Sequence, residues 1–395
     1  MSSQRSIPTE DRISTLPDSV ISHILSFLPT EQSAATSILS KRWNPLWLSV
    51  LTLNFDEQNF ADFATFRHFV YSVMLLRNIT LPIQSFRLKC GKSSDFNPHD
   101  VNRFIHAVVQ RGIQNLNLYL LTPWIRCFKL PQCVLTCNSL TVLKLKWLTM
   151  DDFSKVNFPL LKTLHLANIS FSKPIYLKRF LHGCPVLEDL QIQNVWLSGY
   201  KCGELKGLPK MVKANIDIQG WAFPFAWVRN AKFLCAKLYR PYDCQVPVFH
   251  NLTHMKIVFG WTVNALIRWK WIGKWTWMTE VLQNCPKLQN LTIHQHFNNT
   301  STHGKFIFDE IVNEDWVDPP IVPKCLSSEL GTCSLIAYEG LKCEFQFAKY
   351  ILKNAKALHT MKISASEVDL NIKHQMLMKL SLCPRGSTVC KLSFD

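Results

Sequence analysis

The chain has 395 residues, of which 47% are hydrophobic and 18% charged, with 13 glycines and 14 cysteines. It is too long for one comfortable core, too apolar for wholesale disorder and too poor in glycine for a glycine-rich nucleotide fold. The net charge of +16 sits in the middle, with 7 excess cations in residues 51–200 and 9 in residues 201–300, so it concerns what that region binds.

Residues 1–9 read as a disordered N-terminus with no apolar leader. No apolar run of about 18 residues follows, so no membrane contact is expected and the protein is placed in the nucleus or cytoplasm. There the scattered cysteines, which form no CxxC pair, are expected to be reduced packing residues. No cofactor and no metal site is expected, since the histidines are dispersed and no phosphate loop, HExxH or local nucleophile motif appears.

Val20, Ile21, Ile24, Leu25 and Leu28 form one helical stripe that Pro17 opens and Pro29 ends. Thr30 is expected to cap a second helix through Ala34, Ala35, Ile38 and Leu39. Pro45 biases Asn44 away from helix, which predicts two short pieces meeting there, one carrying Trp43 and the other Trp47. So small a set of helices buries too little to stand alone and needs a partner.

The text LPDSVISHILSFLPTEQSAATSILSKRWNPLW resembles the plant F-box. That resemblance implies docking to a Skp-type adaptor and, through it, to cullin and RING subunits. Carried over position by position, Leu16, Pro17, Ile24 and Leu25 form the first part of the adaptor surface, and Ile38, Leu39, Trp43 and Trp47 the second. The F-box is assigned residues 10–56, and residues 57–80 are read as a connecting segment.

From residue 81 the phrase apolar-x-x-apolar-x-apolar recurs, as in Ile83/Phe86/Leu88, Leu161/Leu164/Leu166 and Phe233/Ala236/Leu238, at steps of 19 to 42 residues. Each phrase predicts a short strand that cannot bury its apolar side alone, and stacking them gives a curved parallel sheet. Helix-like runs at residues 101–110, 177–181, 278–282 and 347–352 precede several strands, and two close on Cys184-Pro185 and Cys285-Pro286, corners that resemble those of F-box leucine-rich-repeat proteins. Repeats are assigned residues 81–320. Residues 321–395 resemble the FBD domain of plant F-box proteins, read physically as the cap that hides a solenoid's last apolar edge. The expected fold class is α/β: a small helical F-box, an irregular leucine-rich-repeat solenoid and a C-terminal FBD cap.

The residue between the last two apolar positions of each phrase faces away from the core. Sampled so, the inner face carries Arg87, Lys144, His165, Lys237, Lys256 and Lys362 and no acid. Any solvated strand face is polar, but this one suits an acidic or phosphorylated target protein. The segment of residues 261–277, crowded with tryptophan and basic residues, is expected to pack mostly beneath the helix layer with one or two rings at a rim. Together these features describe the substrate-recognition subunit of an SCF-type ubiquitin ligase, non-catalytic itself. Two alternatives stay open: a small-molecule-sensing F-box receptor, and a basic scaffold or nucleic-acid binder, the latter disfavoured.

Overall fold

The computed structural model describes residues 13, 15–91, 97–121, 128–151, 153, 155–197, 207–219, 224–238, 246–260, 274–295, 317–338, 340, 342–365 and 370–394. The chain divides into two compact units, Met1–Leu148 and Thr149–Asp395.

The first unit opens with α1 (Asp18–Leu25), α2 (Thr30–Ala35) and α3 (Trp43–Ser49), with a 3-10 turn at Thr36–Ile38. Asp18 and Glu31 lie in the first turns of α1 and α2, where a carboxylate meets the positive end of the helix. Two expectations are corrected here. Pro29, not Thr30, holds the N-cap position of α2, and the Thr30 hydroxyl instead accepts from the Asn54 N–H at 2.8 Å. And α3 runs unbroken through Asn44-Pro45, because Pro45 falls in the first turn, where a helix N–H has no intrahelical partner to lose.

Beyond the helices come β1 (Thr52–Asp56), α4 (Phe63–Leu76), β2 (Ser85–Cys90), α5 (Pro98–Val109), β3 (Asn115–Leu120), α6 (Gln132–Leu135) and β4 (Val142–Met150). β1 to β4 pair in sequence order, all parallel. The ladder thus begins before residue 81, since Val50, Leu53 and Phe55 carry the repeat spacing and are buried. The expected connecting segment holds α4, capped by Asp62, whose carboxylate accepts from the Thr65 N–H at 2.7 Å. That bond holds the Asp62 carboxyl below its ordinary pKa.

The second unit continues with β5 (Thr163–Phe171), α7 (Pro174–His182), β6 (Asp189–Leu197), β7 (Lys213–Gln219), β8 (Phe233–Leu238), β9 (His254–Phe259), α8 (Lys274–Gln283) and β10 (Asn290–Gln295). It ends with α9 (Lys324–Ser328), β11 (Thr332–Tyr338), α10 (Lys342–Asn354), β12 (Thr360–Ala365), α11 (Leu370–Ser381) and β13 (Lys391–Phe394). β5 to β13 again pair in order and parallel.

One device sets the register at step after step. The carbonyl just before a strand accepts two successive N–H groups of the next strand's entry. Gln84 takes Gln114 and Asn115 at 2.9 and 2.8 Å, and Val212 takes Lys232 and Phe233 at 2.8 and 3.0 Å. This corrects the expected frame of β8. With Lys232 and Phe233 clamped to Val212, the buried residues are Ala231, Leu234, Ala236 and Leu238, so Ala236 and Leu238 point inward as expected while Phe233 faces outward and the repeat phrase starts at Ala231.

Candidate functional site

The F-box helices turn only part of their apolar surface inward. Leu25, Trp43 and Trp47 are buried, whereas Pro17 is exposed and Leu16 half-buried. Ile24 is 42%, Leu39 64% and Ile38 88% exposed. Phe27, 74% exposed, and Val20, 40% exposed, join them; sequence reading missed both, because each belongs to or follows a stripe that looks wholly internal. Two links hold the module together, one buried and one at the surface. The Ser33 hydroxyl donates to the Leu25 carbonyl at 3.0 Å, and the Arg42 guanidinium reaches Asp18 Oδ1 from Nη2 at 2.6 Å and Nε at 2.9 Å.

The second candidate surface is the sheet face that alternates with the core. In the first unit Arg87, Asn117 and Lys144 stand in register on β2, β3 and β4, with Lys89, Tyr119 and Lys146 the next row along. Lys89 Nζ lies 2.9 Å from Asp56 Oδ2 and 5.8 Å from the centre of the Tyr119 ring, which Lys146 Nζ approaches to 5.1 Å. Sequence reading found Arg87 and Lys144 but missed Lys89, Tyr119 and Lys146, because it sampled one residue per strand.

In the second unit His165, Gln191, Asn215, Cys235 and Lys256 share one row, which continues through Thr292 and Ser334 to Lys362. Lys237 is not in it. It stands in the next row beside Asp217, 3.9 Å from Oδ2, as the corrected frame of β8 requires.

The cysteines of the Cys-Pro corners are interior, while Pro185 is exposed and Pro286 half-buried. Cys184 and Cys285 are fully buried, and the Cys184 thiol donates to the Phe180 carbonyl at 3.2 Å. Burial pushes both thiols far above their ordinary pKa, and those of Cys325 and Cys333 up to about 12. Among the described residues no group of His, Cys, Asp or Glu is arranged to hold a metal ion, and no helix is long and apolar enough to cross a membrane. Of the tryptophan-rich segment, Trp275 and Trp277 are buried, Trp275 against Phe347 at 4.8 Å between ring centres; residues 261–273 lie outside the described residues.

Three family models match in chain order: "F-box domain" over residues 13–54, "FBD-associated F-box protein At5g56370, LRR repeats" over 101–205, and "FBD" over 318–363. A helical module with an exposed apolar surface, followed by parallel strands alternating with helices, is therefore the build of an F-box protein with leucine-rich repeats and an FBD domain. Two Arabidopsis thaliana relatives align over almost the whole chain. The F-box/FBD/LRR-repeat protein At4g26340 is 29% identical over 98% of this chain and 100% of its own length. The FBD-associated F-box protein At5g56440 is 30% identical over 97% of this chain and 100% of its own length. The chain belongs to the plant F-box/FBD/leucine-rich-repeat family.

Proposed function

We propose that this protein is the substrate-recognition subunit of an SCF-type cullin-RING ubiquitin ligase. Its F-box docks a Skp-type adaptor, and its repeats hold a target protein. The observation that carries this reading is the exposed apolar surface of the F-box. Val20, Ile24, Phe27, Ile38 and Leu39 remain in solvent on a helical module whose buried core, among the described residues, is limited to Ile21, Leu25, Trp43, Trp47 and Val50, and so much exposed apolar surface on a small module marks a contact for another chain. Of the eight adaptor residues expected from resemblance, Leu16, Pro17, Ile24, Ile38 and Leu39 reach solvent and in this reading touch the adaptor. Leu25, Trp43 and Trp47 act from inside by holding the helices in position.

The repeats form a solenoid in this reading, each strand-and-helix step burying the apolar edge of the step before it, with the FBD domain as the terminal cap. The polar sheet faces, with Arg87 and Lys144 in the first unit and His165, Lys256 and Lys362 in the second, are each suited to an acidic or phosphorylated target in the nucleus or cytoplasm. Catalysis then amounts to effective concentration: a target held near the charged conjugating enzyme reacts as if tethered, and no side chain here makes or breaks a bond.

Pull-down with a purified Skp-type adaptor tests the reading. The native chain is retained and Ile38→Asp/Leu39→Asp is not, with both folded by circular dichroism. Retention of that variant, or no retention of the native chain, overturns it.

A further inference from the structure

The basic face is not evenly spread. In the first unit, on three adjacent strands, six side chains make a grid of two rows: Arg87, Asn117 and Lys144, then Lys89, Tyr119 and Lys146. They share a face because they alternate with Phe86, Leu88, Leu116, Leu118, Leu143 and Leu145, all buried. Neighbouring parallel strands lie about 4.8 Å apart, so the grid is about 10 Å wide, within reach of a single bound group.

Two of these cations meet at one ring, and three have no acid beside them among the described residues. Lys89 and Lys146, on opposite sides of β3, both lean over the Tyr119 ring, at 5.8 and 5.1 Å. The negative face of the ring offsets part of the repulsion between them, and Lys89 is held in addition by Asp56 and by Gln58 Oε1 at 2.7 Å. The compensation is also incomplete. On β1 to β4 one acid, Asp56, is present, and it pairs with Lys89. Arg87, Lys144 and Lys146 have no ion-pair partner among the described residues.

We infer that this grid is the seat for a phosphorylated side chain of the target, with Arg87, Lys144 and Lys146 pairing with the phosphate and Tyr119 as the floor between them. The inference rests on the ligase reading and narrows it. A carboxylate carries one charge and would leave most of these cations unpaired. A phosphate ester brings a charge of about −1.5 to −2 and three acceptor oxygens, enough to engage an arginine fork and two ammonium groups. A nucleic-acid strand would need a track of cations following successive phosphates, and this cluster ends at Asn54 and Asp56 on β1.

The test uses the full chain, with and without a Skp-type adaptor, on three immobilised degenerate peptide libraries that differ in one fixed position: phosphoserine, serine or glutamate. Retention on phosphoserine is expected to exceed that on serine by at least about ten-fold. Arg87→Gln/Lys146→Gln falls to the serine level while its melting temperature and adaptor binding stay unchanged. Lys356→Gln/Lys379→Gln, the same charge change at exposed sites in the second unit, retains the preference. Equal retention on phosphoserine and serine, or equal loss in the two variants, overturns the inference. So does displacement of the phosphoserine library by a single-stranded oligonucleotide at lower concentration than by phosphoserine peptide. Adaptor binding is read separately, so loss of the ligase reading and loss of the phosphate seat are distinct results.

Discussion

Asn194 donates from Nδ2 to Oδ1 of Asn168 across 2.6 Å, and both residues hold the left-handed backbone conformation, at φ 50° and 52°. Each marks the same event in its strand. On β5 the buried residues shift phase from Leu164 and Leu166 to Ile169 and Phe171, and on β6 from Leu190 and Ile192 to Val195. A left-handed residue absorbs the extra step, and asparagine is among the side chains that tolerate it.

Asn194→Val should therefore be destabilising by about 2–3 kcal/mol, combining left-handed strain at a β-branched residue with the lost hydrogen bond. Asn194→Gly keeps the conformation and should lose only about 1 kcal/mol. Urea unfolding of the two variants separates backbone strain from side-chain bonding.

The strands were legible in sequence because each obeys the same spacing and hides the same positions. β8 was misframed because Phe233 looked internal, whereas the clamp at Val212 that fixes its register is made by backbone and leaves no mark in side-chain pattern. β1 was hidden inside the F-box text. Periodicity grouped the F-box apolar residues correctly, but it reports which residues share a face and not what covers that face. Trp43 and Ile38 therefore looked alike, although one is 7% and the other 88% exposed.

That difference separates two kinds of loss. Trp43→Ala removes a buried ring and should cost about 3–5 kcal/mol, so adaptor binding fails because the module melts. Ile38→Ser should change stability by less than about 0.5 kcal/mol, since nothing covers the side chain. Its adaptor affinity should nonetheless drop by about ten-fold or more, because an exposed apolar anchor has been removed. Thermal melting alongside an adaptor titration of both variants checks the split.

The cysteines offer a probe of packing. Thiolate is the reactive form, and burial raises the thiols of Cys184, Cys285, Cys325 and Cys333, so almost none is present at neutral pH. Alkylation of the native protein at neutral pH should spare these four until the chain unfolds, whereas the half-buried Cys133 should react sooner. Mass spectrometry of peptides from native and urea-treated protein gives the order. Early labelling of Cys184 or Cys285 would contradict their burial.

Arg77 closes α4 and is buried, and its Nε, Nη1 and Nη2 have no hydrogen-bond partner among the described residues. Burial, with a smaller contribution from the neighbouring Arg111 charge, lowers its pKa to about 10. The folded chain thus holds this proton less tightly than the unfolded chain. Below about pH 10 both states are protonated and the whole penalty is present; it is relieved only as pH rises through the folded pKa. At neutral pH the cost is therefore constant. Arg77→Met, of similar reach and without charge, should stabilise the first unit by about 1–4 kcal/mol, the range found when buried ions give way to apolar side chains. The gain should not vary across neutral pH. Arg77→Lys keeps a buried charge and should yield no such gain. Urea unfolding of both variants at several pH values decides it, and a destabilised Arg77→Met would contradict a guanidinium buried without a partner.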